Sequence, residues 1–364
     1  MKFKILRNKF IESMKSVQNI VVSKGSLNIL QNVLMEARDN RLFMTTTDLD
    51  ISISASVECE VIESGKTTLP MRLLFNSIAK AAEGEVEVEV DSKDRATIKA
   101  GSAKFKIVGM SENEYPKLPE DDDSYAYSVG QSELKNMLRK VSYAASQDDT
   151  RKTLKGVLMS FNDMKLTMVA TDGRRMALIE NELEFPHDME KDIVLPSKTV
   201  QELIRSLNGD QTTKIRIQKS QISFETENMI LYSKLIDEVY PNYRQVIPGE
   251  IKEKISVDRQ QLLDALDRAS VMTMDEAHSI KLIFSENKLT VTSAVSDVGE
   301  AKDEVEIKYA GEPIEIIFNP SYVMDPLKAI DDDEITINLN NGHSPAVIKS
   351  SEKFLYVLMP LRIN

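Results

Sequence analysis

The stretch VATDGRRMALIE, residues 169–180, sets Asp172 beside Gly173 and follows it at once with Arg174 and Arg175. A carboxylate next to two guanidiniums could serve acid–base chemistry on an anionic substrate. Such a carboxylate needs a second group to tune it, and the chain offers few. His187, His278 and His343 lie far apart, Cys59 is the one cysteine, and no H-E-x-x-H or C-x-x-C spacing occurs, so a zinc site has no support. The segment GSAKFKIVG lacks the Lys-Ser/Thr ending of a phosphate-binding loop. Two acidic runs remain, EDDDS at 120–124 and DDDE at 331–334. They could hold Mg²⁺ in a nuclease or hydrolase, but both fall where turns or linkers are expected, and such runs are usually solvated. Neither a catalytic residue, a metal nor a cofactor is expected. Asp172-Gly173 itself lies between two strand-like runs, and Asp-Gly is a favoured two-residue hairpin turn.

The elements that position this turn recur along the chain. ILRNKFIESMKSVQNIVVS from Ile5, SVGQSELKNMLRKVSYAAS from Ser128 and ISVDRQQLLDALDRASVMT from Ile255 each pass from a short strand into a helical rhythm. Leu134, Met137, Leu138 and Val141 show the i, i+3, i+4, i+7 spacing of one buried helical face. A second block, strand–proline–helix–turn–strand, starts at Thr68, Val194 and Ile317. Proline near a first helical turn loses nothing; Pro326, deeper in its helix, is expected to shorten or bend it. The first block repeats at intervals of 123 and 127 residues, the second at 126 and 123. Two blocks with one spacing imply three tandem copies, 1–127, 128–253 and 254–364. Alternation in EVEVEV and KIRIQ implies sheets with one wet face. Each copy is therefore expected to be α+β, two helices on an antiparallel sheet. In copy one TTTDLDIS matches the Asp-Gly stretch, and in copy three SAVSDVGE does.

The 364 residues are 41% hydrophobic and 29% charged, enough to fill a core, with a formal net charge of −12. No run approaches a membrane span. The N-terminus MKFKILRNKF alternates charge and apolarity, unlike a signal peptide, so a cytoplasmic location is expected. The acidic total argues against nucleic acid only if charge is evenly spread, and it is not. The six helical segments 8–24, 71–82, 131–143, 197–208, 258–271 and 320–330 together carry a formal +6, leaving −18 elsewhere. Arg72, Lys80, Arg139, Lys198 and Arg205 are the candidates from this count for a surface facing phosphate. Repetition around an axis would gather these helices. With neighbours ~8–10 Å apart, six helices close a circle roughly 19 Å across, too tight for a duplex roughly 20 Å wide; twelve give roughly 38 Å, about 28 Å of it clear. Two chains joined head to tail are the smallest such ring. It would hold DNA without reading sequence and could slide.

The residues also carry a likeness. ATDGRRMA at 170–177, YPNYRQVIP at 240–248 and the terminal YVLMPLRIN at 356–364 make the chain resemble, over essentially its whole length, the bacterial β sliding clamps, processivity subunits of DNA polymerase III. The resemblance implies a ring-shaped homodimer around duplex DNA, placed there by an ATP-driven clamp loader, that tethers replicative and repair polymerases. It implies no catalysis. It implies a pocket between the second and third copies for short peptides. The matching positions are Leu154, Thr171, Gly173, Arg174, Arg175, Met176, Pro241, Val246, Val357, Leu358, Met359, Pro360, Leu361 and Arg362. Methionine suits a surface that adapts to several ligands. The expected groove is apolar with a cationic rim from the two arginines, fitting an extended peptide that carries Leu or Phe and a carboxylate or Gln side chain. Relatives often have His where Arg174 stands and Arg where Gln245 stands, which bears on peptide preference. The resemblance adds Lys24 and the loop with Arg151 and Lys152 to the DNA-facing set. It places Phe105 and Ile107, on an edge strand, against Val271 and Met272 of a second copy. Two rival readings stand beside it: a metal-dependent nuclease or hydrolase using the Asp clusters, and an interaction scaffold that does not bind DNA.

Overall fold

The computed structural model describes residues 1–22, 27–119, 125–272, 279–295, 299–350 and 353–361. The six helices stand where the apolar spacing puts them: α1 Arg7–Val17, α2 Met71–Ala79, α3 Gln131–Ser142, α4 Ser197–Ser206, α5 Arg259–Ser270 and α6 Pro320–Ala329. Leu134, Met137, Leu138 and Val141 are all buried. The ends are tighter than expected, most of all α1, which stops at Val17 and gives way to a 3-10 turn at Gln18–Ile20. Arginine at the first position of α1 and of α5 grips the end of the helix that follows it in the same copy. Arg7 donates to the carbonyls of Ile78 and Ala79 at 3.0 and 2.7 Å, and Arg259 to those of Leu327 and Asp332 at 3.0 and 2.7 Å. Cations satisfy carbonyls left over at helix C-termini.

Three tandem copies of one α+β unit are visible in the sheets. Four-stranded motifs fuse pairwise across copies, so contacts gather into two compact units, Met1–Ser132 with Arg205–Leu235, and Glu133–Ile204 with Ile236–Asn364. In the first unit an eight-stranded antiparallel sheet runs Ala126–Gly130, Thr212–Ile217, Gln221–Glu225, Met229–Lys234, Ile51–Glu58, Arg41–Thr47, Asn32–Arg38, Gly65–Pro70. Its junction pairs Met229 with Ala55 and Ser233 with Ile51. A five-stranded sheet in the same unit ends on Ala103–Val108. In the second unit the eight strands are Lys191–Pro196, Gly156–Asn162, Lys165–Thr171, Arg175–Glu182, Phe354–Leu358, Ala346–Lys349, Glu334–Leu339, Glu253–Asp258. Here the junction pairs Arg175 with Leu358 and Met176 with Val357. A four-stranded sheet in this unit ends on Gly299–Glu306. The expected alternation holds in Glu85–Val90, where Val86, Val88 and Val90 are buried, and in Thr212–Ile217, where Thr213, Ile215 and Ile217 are.

Pro326 does not shorten its helix. α6 continues to Ala329, and the Ile330 N–H bonds the Pro326 carbonyl at 3.0 Å. The carbonyl that Pro326 cannot serve, four residues back, is that of Tyr322. It accepts instead from the Tyr356 hydroxyl at 2.8 Å. Tyr356 comes from the junction strand and is fully buried. Tyr356→Phe should therefore cost about 1–2 kcal/mol in chemical denaturation, the usual cost of orphaning a buried carbonyl. Pro326→Ala in that background restores a donor and should recover part of the loss; no recovery would show that this carbonyl is not the cause.

Candidate functional site

The site begins at the hairpin between Lys165–Thr171 and Arg175–Glu182. The turn is not centred on Asp-Gly. Gly173 and Arg174 are its middle pair, closed by Asp172 N–H to the Arg175 carbonyl at 3.4 Å. Gly173 has φ +86°, which a side chain resists. Asp172 acts as the cap: one carboxylate oxygen accepts from the N–H groups of Arg174 and Arg175 at 2.8 and 3.0 Å. Thr171 Oγ1 donates to the Arg175 carbonyl at 2.6 Å and accepts from Gly173 N–H at 3.1 Å. The turn TTTDLDIS in copy one is built alike. Thr47 Oγ1 meets Ile51 O at 3.0 Å and Leu49 N–H at 3.1 Å, and Asp48 accepts from Asp50 and Ile51 at 3.0 and 2.8 Å. Asp172 is thus a turn-forming group, with its oxygens committed to backbone and to Arg175.

Arg175 is not part of a cationic rim. Its side chain is only 10% exposed and points inward. It donates to Asp172 at 3.1 Å, to Asp325 at 2.5 Å and to the Tyr143 carbonyl at 2.7 Å, and stacks over the Tyr322 ring at 4.2 Å. Burial works against its charge, yet the bond to Asp325 leads the interactions that hold it protonated above the ordinary arginine range. Burial likewise pushes the Tyr143 and Tyr356 hydroxyls up. Sequence spacing gave no sign of this cluster, because Asp325 lies 150 residues from Arg175. Arg174 is exposed and is the cation of this turn that faces outward.

Beside the hairpin, Met176 and Val357 are paired across the junction and share an apolar cluster with Leu158, Val169, Leu178 and Tyr243. The segment 240–247 lies against this cluster through Tyr240, Tyr243 and Ile247, while Pro241 and Val246 are exposed. Past the strand end, Met359 N–H bonds the Arg174 carbonyl at 3.0 Å and Leu361 N–H the Ile317 carbonyl at 2.8 Å. Met359 and Pro360 are half-buried and Leu361 is 39% exposed. Leu154 is half-buried in the turn Lys152–Lys155. Hence Thr171, Gly173, Arg174, Met176, Val357 and Met359 meet at one place, and Leu358, between the last two, does not. Leu358 is one residue from Val357 on a strand, so it turns to the opposite face, where it is 1% exposed. Arg362 lies outside the described residues, as does Lys24.

Arg72, Lys80, Arg139, Arg151, Lys152, Lys198 and Arg205 are all exposed. Lys140, which entered the helical charge count, is fully buried, with its ammonium 3.8 Å from Asp331. Arg151 leans on the hairpin, donating to the Asp172 carbonyl at 3.3 Å. Phe105 is half-buried and Ile107 only 6% exposed, so the outward apolar residue of that strand is Val108, at 71%. Val271 is 75% exposed and Met272 half-buried. Among the described residues no three acidic, histidine or cysteine side chains group as metal ligands, and no helix is long and apolar enough to cross a membrane. The run 120–124 lies outside the described residues.

Asp325→Ala tests the inward arginine. It leaves a buried guanidinium short of a counter-charge and should lower unfolding stability by about 2–4 kcal/mol; Arg174→Ala, on the rim, should change it by less than about 0.5 kcal/mol. Equal losses in thermal or urea unfolding would contradict the distinction.

With this geometry in view, three family profiles cover the chain: DNA polymerase III beta subunit, N-terminal domain, at residues 1–119; central domain, at 128–242; and C-terminal domain, at 244–362. The beta sliding clamp of Chlamydia muridarum is 33% identical over 364 residues, covering 100% of both chains. That of Bacillus subtilis is 28% identical, again with 100% of both covered. The crystal structure of the Bacillus subtilis DNA polymerase sliding clamp superposes with a TM-score of 0.96 at 28% identity, and a Pseudomonas aeruginosa sliding clamp bound to griselimycin with 0.95 at 29%, each over 100% of both chains. The chain belongs to the DNA polymerase III beta subunit family, the bacterial sliding clamps.

Proposed function

We infer that the protein is a DNA polymerase processivity factor. Two copies close head to tail around duplex DNA, slide on it without sequence preference, and tether polymerases through the groove beside the Asp172 hairpin. The three copies are taken as domains 1–127, 128–253 and 254–364. The reading assigns no catalytic step to the chain and places it in the cytoplasm, with a clamp loader to open it.

One observation carries the ring. Within the chain, copies join by pairing the strand at the end of one motif's sheet order with the strand at the end of the next, as in Met229–Lys234 with Ile51–Glu58. The equivalents of those two strands in copies one and three are Ala103–Val108 and Gly299–Glu306, and both are sheet edges. An open edge invites pairing with another chain. The two are also opposite in charge: one carries Lys104 and Lys106, the other Glu300, Asp303, Glu304 and Glu306 against Lys302. Val108 and Val271, both exposed, would be covered in such a contact, with Phe105, Ile107 and Met272 behind them. Joining these unlike edges repeats the internal junction and closes the circle with two chains. Arg72, Lys80, Arg139, Arg151, Lys152, Lys198, Arg205 and Lys24 are then the residues assigned to phosphate, with the helical basicity weaker by the one buried lysine.

Loading onto nicked circular plasmid by a clamp loader, followed by linearisation, tests the topological link. The protein should stay on closed circles and leave linear DNA; equal retention on both would overturn the ring. Lys104→Glu with Lys106→Glu sets like charges edge to edge and should raise the dimer dissociation constant by about tenfold or more in analytical ultracentrifugation. An unchanged constant would move the interface elsewhere. Deleting residues 360–364 should abolish polymerase-peptide binding and leave the dimer intact.

A further inference from the structure

A cavity of about 600 Å³ opens on the same sheet face as the groove. Leu178, Tyr243, Ile247 and Leu355 supply much of its apolar lining, with Pro248 and Phe354 beside them. The first four belong to or pack on the apolar cluster that contains Met176 and Val357. The connection follows from strand alternation. Met176, Leu178 and Glu180 succeed one another on one face of their strand, opposite Val357, Leu355 and Lys353. The apolar floor of the groove therefore runs on into the cavity and ends in charge. The segment 240–249 borders both, giving Pro241 and Val246 to the groove and Tyr243, Arg244 and Ile247 to the cavity.

The charge at that end is opposite in sign to the net charge of the chain. Arg244, Lys349 and Lys353 stand against Glu180 alone among the cavity's described residues, in a chain of net −12. Glu180 is itself 3.6 Å from Lys165, and Lys353 bonds Glu182 at 2.6 Å. Arg244 stacks over the Tyr243 ring at 5.0 Å, and neither it nor the exposed Lys349 has a carboxylate partner among the described residues. The Ser350 hydroxyl, also on the cavity wall, is buried and has no hydrogen-bond partner among the described residues.

We propose that this cavity is an extension of the peptide groove that receives an acidic flank of the partner peptide, one apolar side chain seated over Leu178 and Leu355 with carboxylates on Arg244 and Lys349. The proposal rests on the groove being the peptide site. From Met176 to Leu178 is ~7 Å along the strand, so a peptide leaving the groove in extended form reaches the cavity within two or three residues. A partner with a basic or glycine-rich flank would gain nothing there, so affinity would rank partners by what lies outside their anchoring residues.

Fluorescence anisotropy on the full-length protein tests this. The core probe is a labelled peptide anchored by Gln, Leu and Phe; the extended probes carry Leu-Glu-Glu added at one end or the other. One extended probe should bind about tenfold tighter than the core, with the gain shrinking as salt rises. Arg244→Glu with Lys349→Glu should remove that gain while core affinity stays within about twofold. Extended probes that match the core, or a gain that survives both substitutions, would overturn the extension while leaving the groove intact. Failure of the core probe to bind would overturn the groove itself, and the extension with it.

Discussion

The structure depends on antiparallel pairing between strands of successive copies. A four-stranded motif with one apolar face cannot end in solvent without leaving a row of N–H and C=O groups unpaired. The chain meets that constraint twice internally, at Ile51–Glu58 with Met229–Lys234 and at Arg175–Glu182 with Phe354–Leu358. The candidate site is a by-product of the second junction. The hairpin that starts one strand and the tail that leaves the other are brought side by side because their strands are neighbours.

What happens around that junction explains the arginines. Arg175 sits at the first residue of the joined strand and is held by Asp172, Asp325 and the Tyr143 carbonyl. Tyr356, from the partner strand, completes the same region by serving the carbonyl that Pro326 leaves open. The residues beside the hairpin thus rest on a hydrogen-bonded polar cluster around Arg175, and such bonds fix side chains more firmly than apolar packing alone. Two adjacent arginines in one motif have divided roles: one binds the protein to itself, the other faces outward.

Much of this was legible in the sequence, and the limits are physical. Helical rhythm located α1 to α6 to within a few residues at most ends, because burial of one face sets the period. Threefold repetition was visible because two blocks kept one spacing. Alternation distinguished wet from dry strand faces, and applied to YVLMPLRIN it would have set Leu358 apart from Val357. The inward turn of Arg175 and the burial of Lys140 were not legible, since their partners Asp325 and Asp331 are remote in sequence. Pro326 misled for a like reason: its cost depends on whether a distant hydroxyl is present.

The unlike edges Ala103–Val108 and Gly299–Glu306 have a directional consequence for the proposed pair. If two chains join through them in a closed ring, a rotation about the ring axis relates them, and such a rotation never exchanges top for bottom. Both hairpins, and every protein held there, would then look the same way along the double helix. The assembly would have a front and a back, and enzymes sharing it would compete or take turns on a single side.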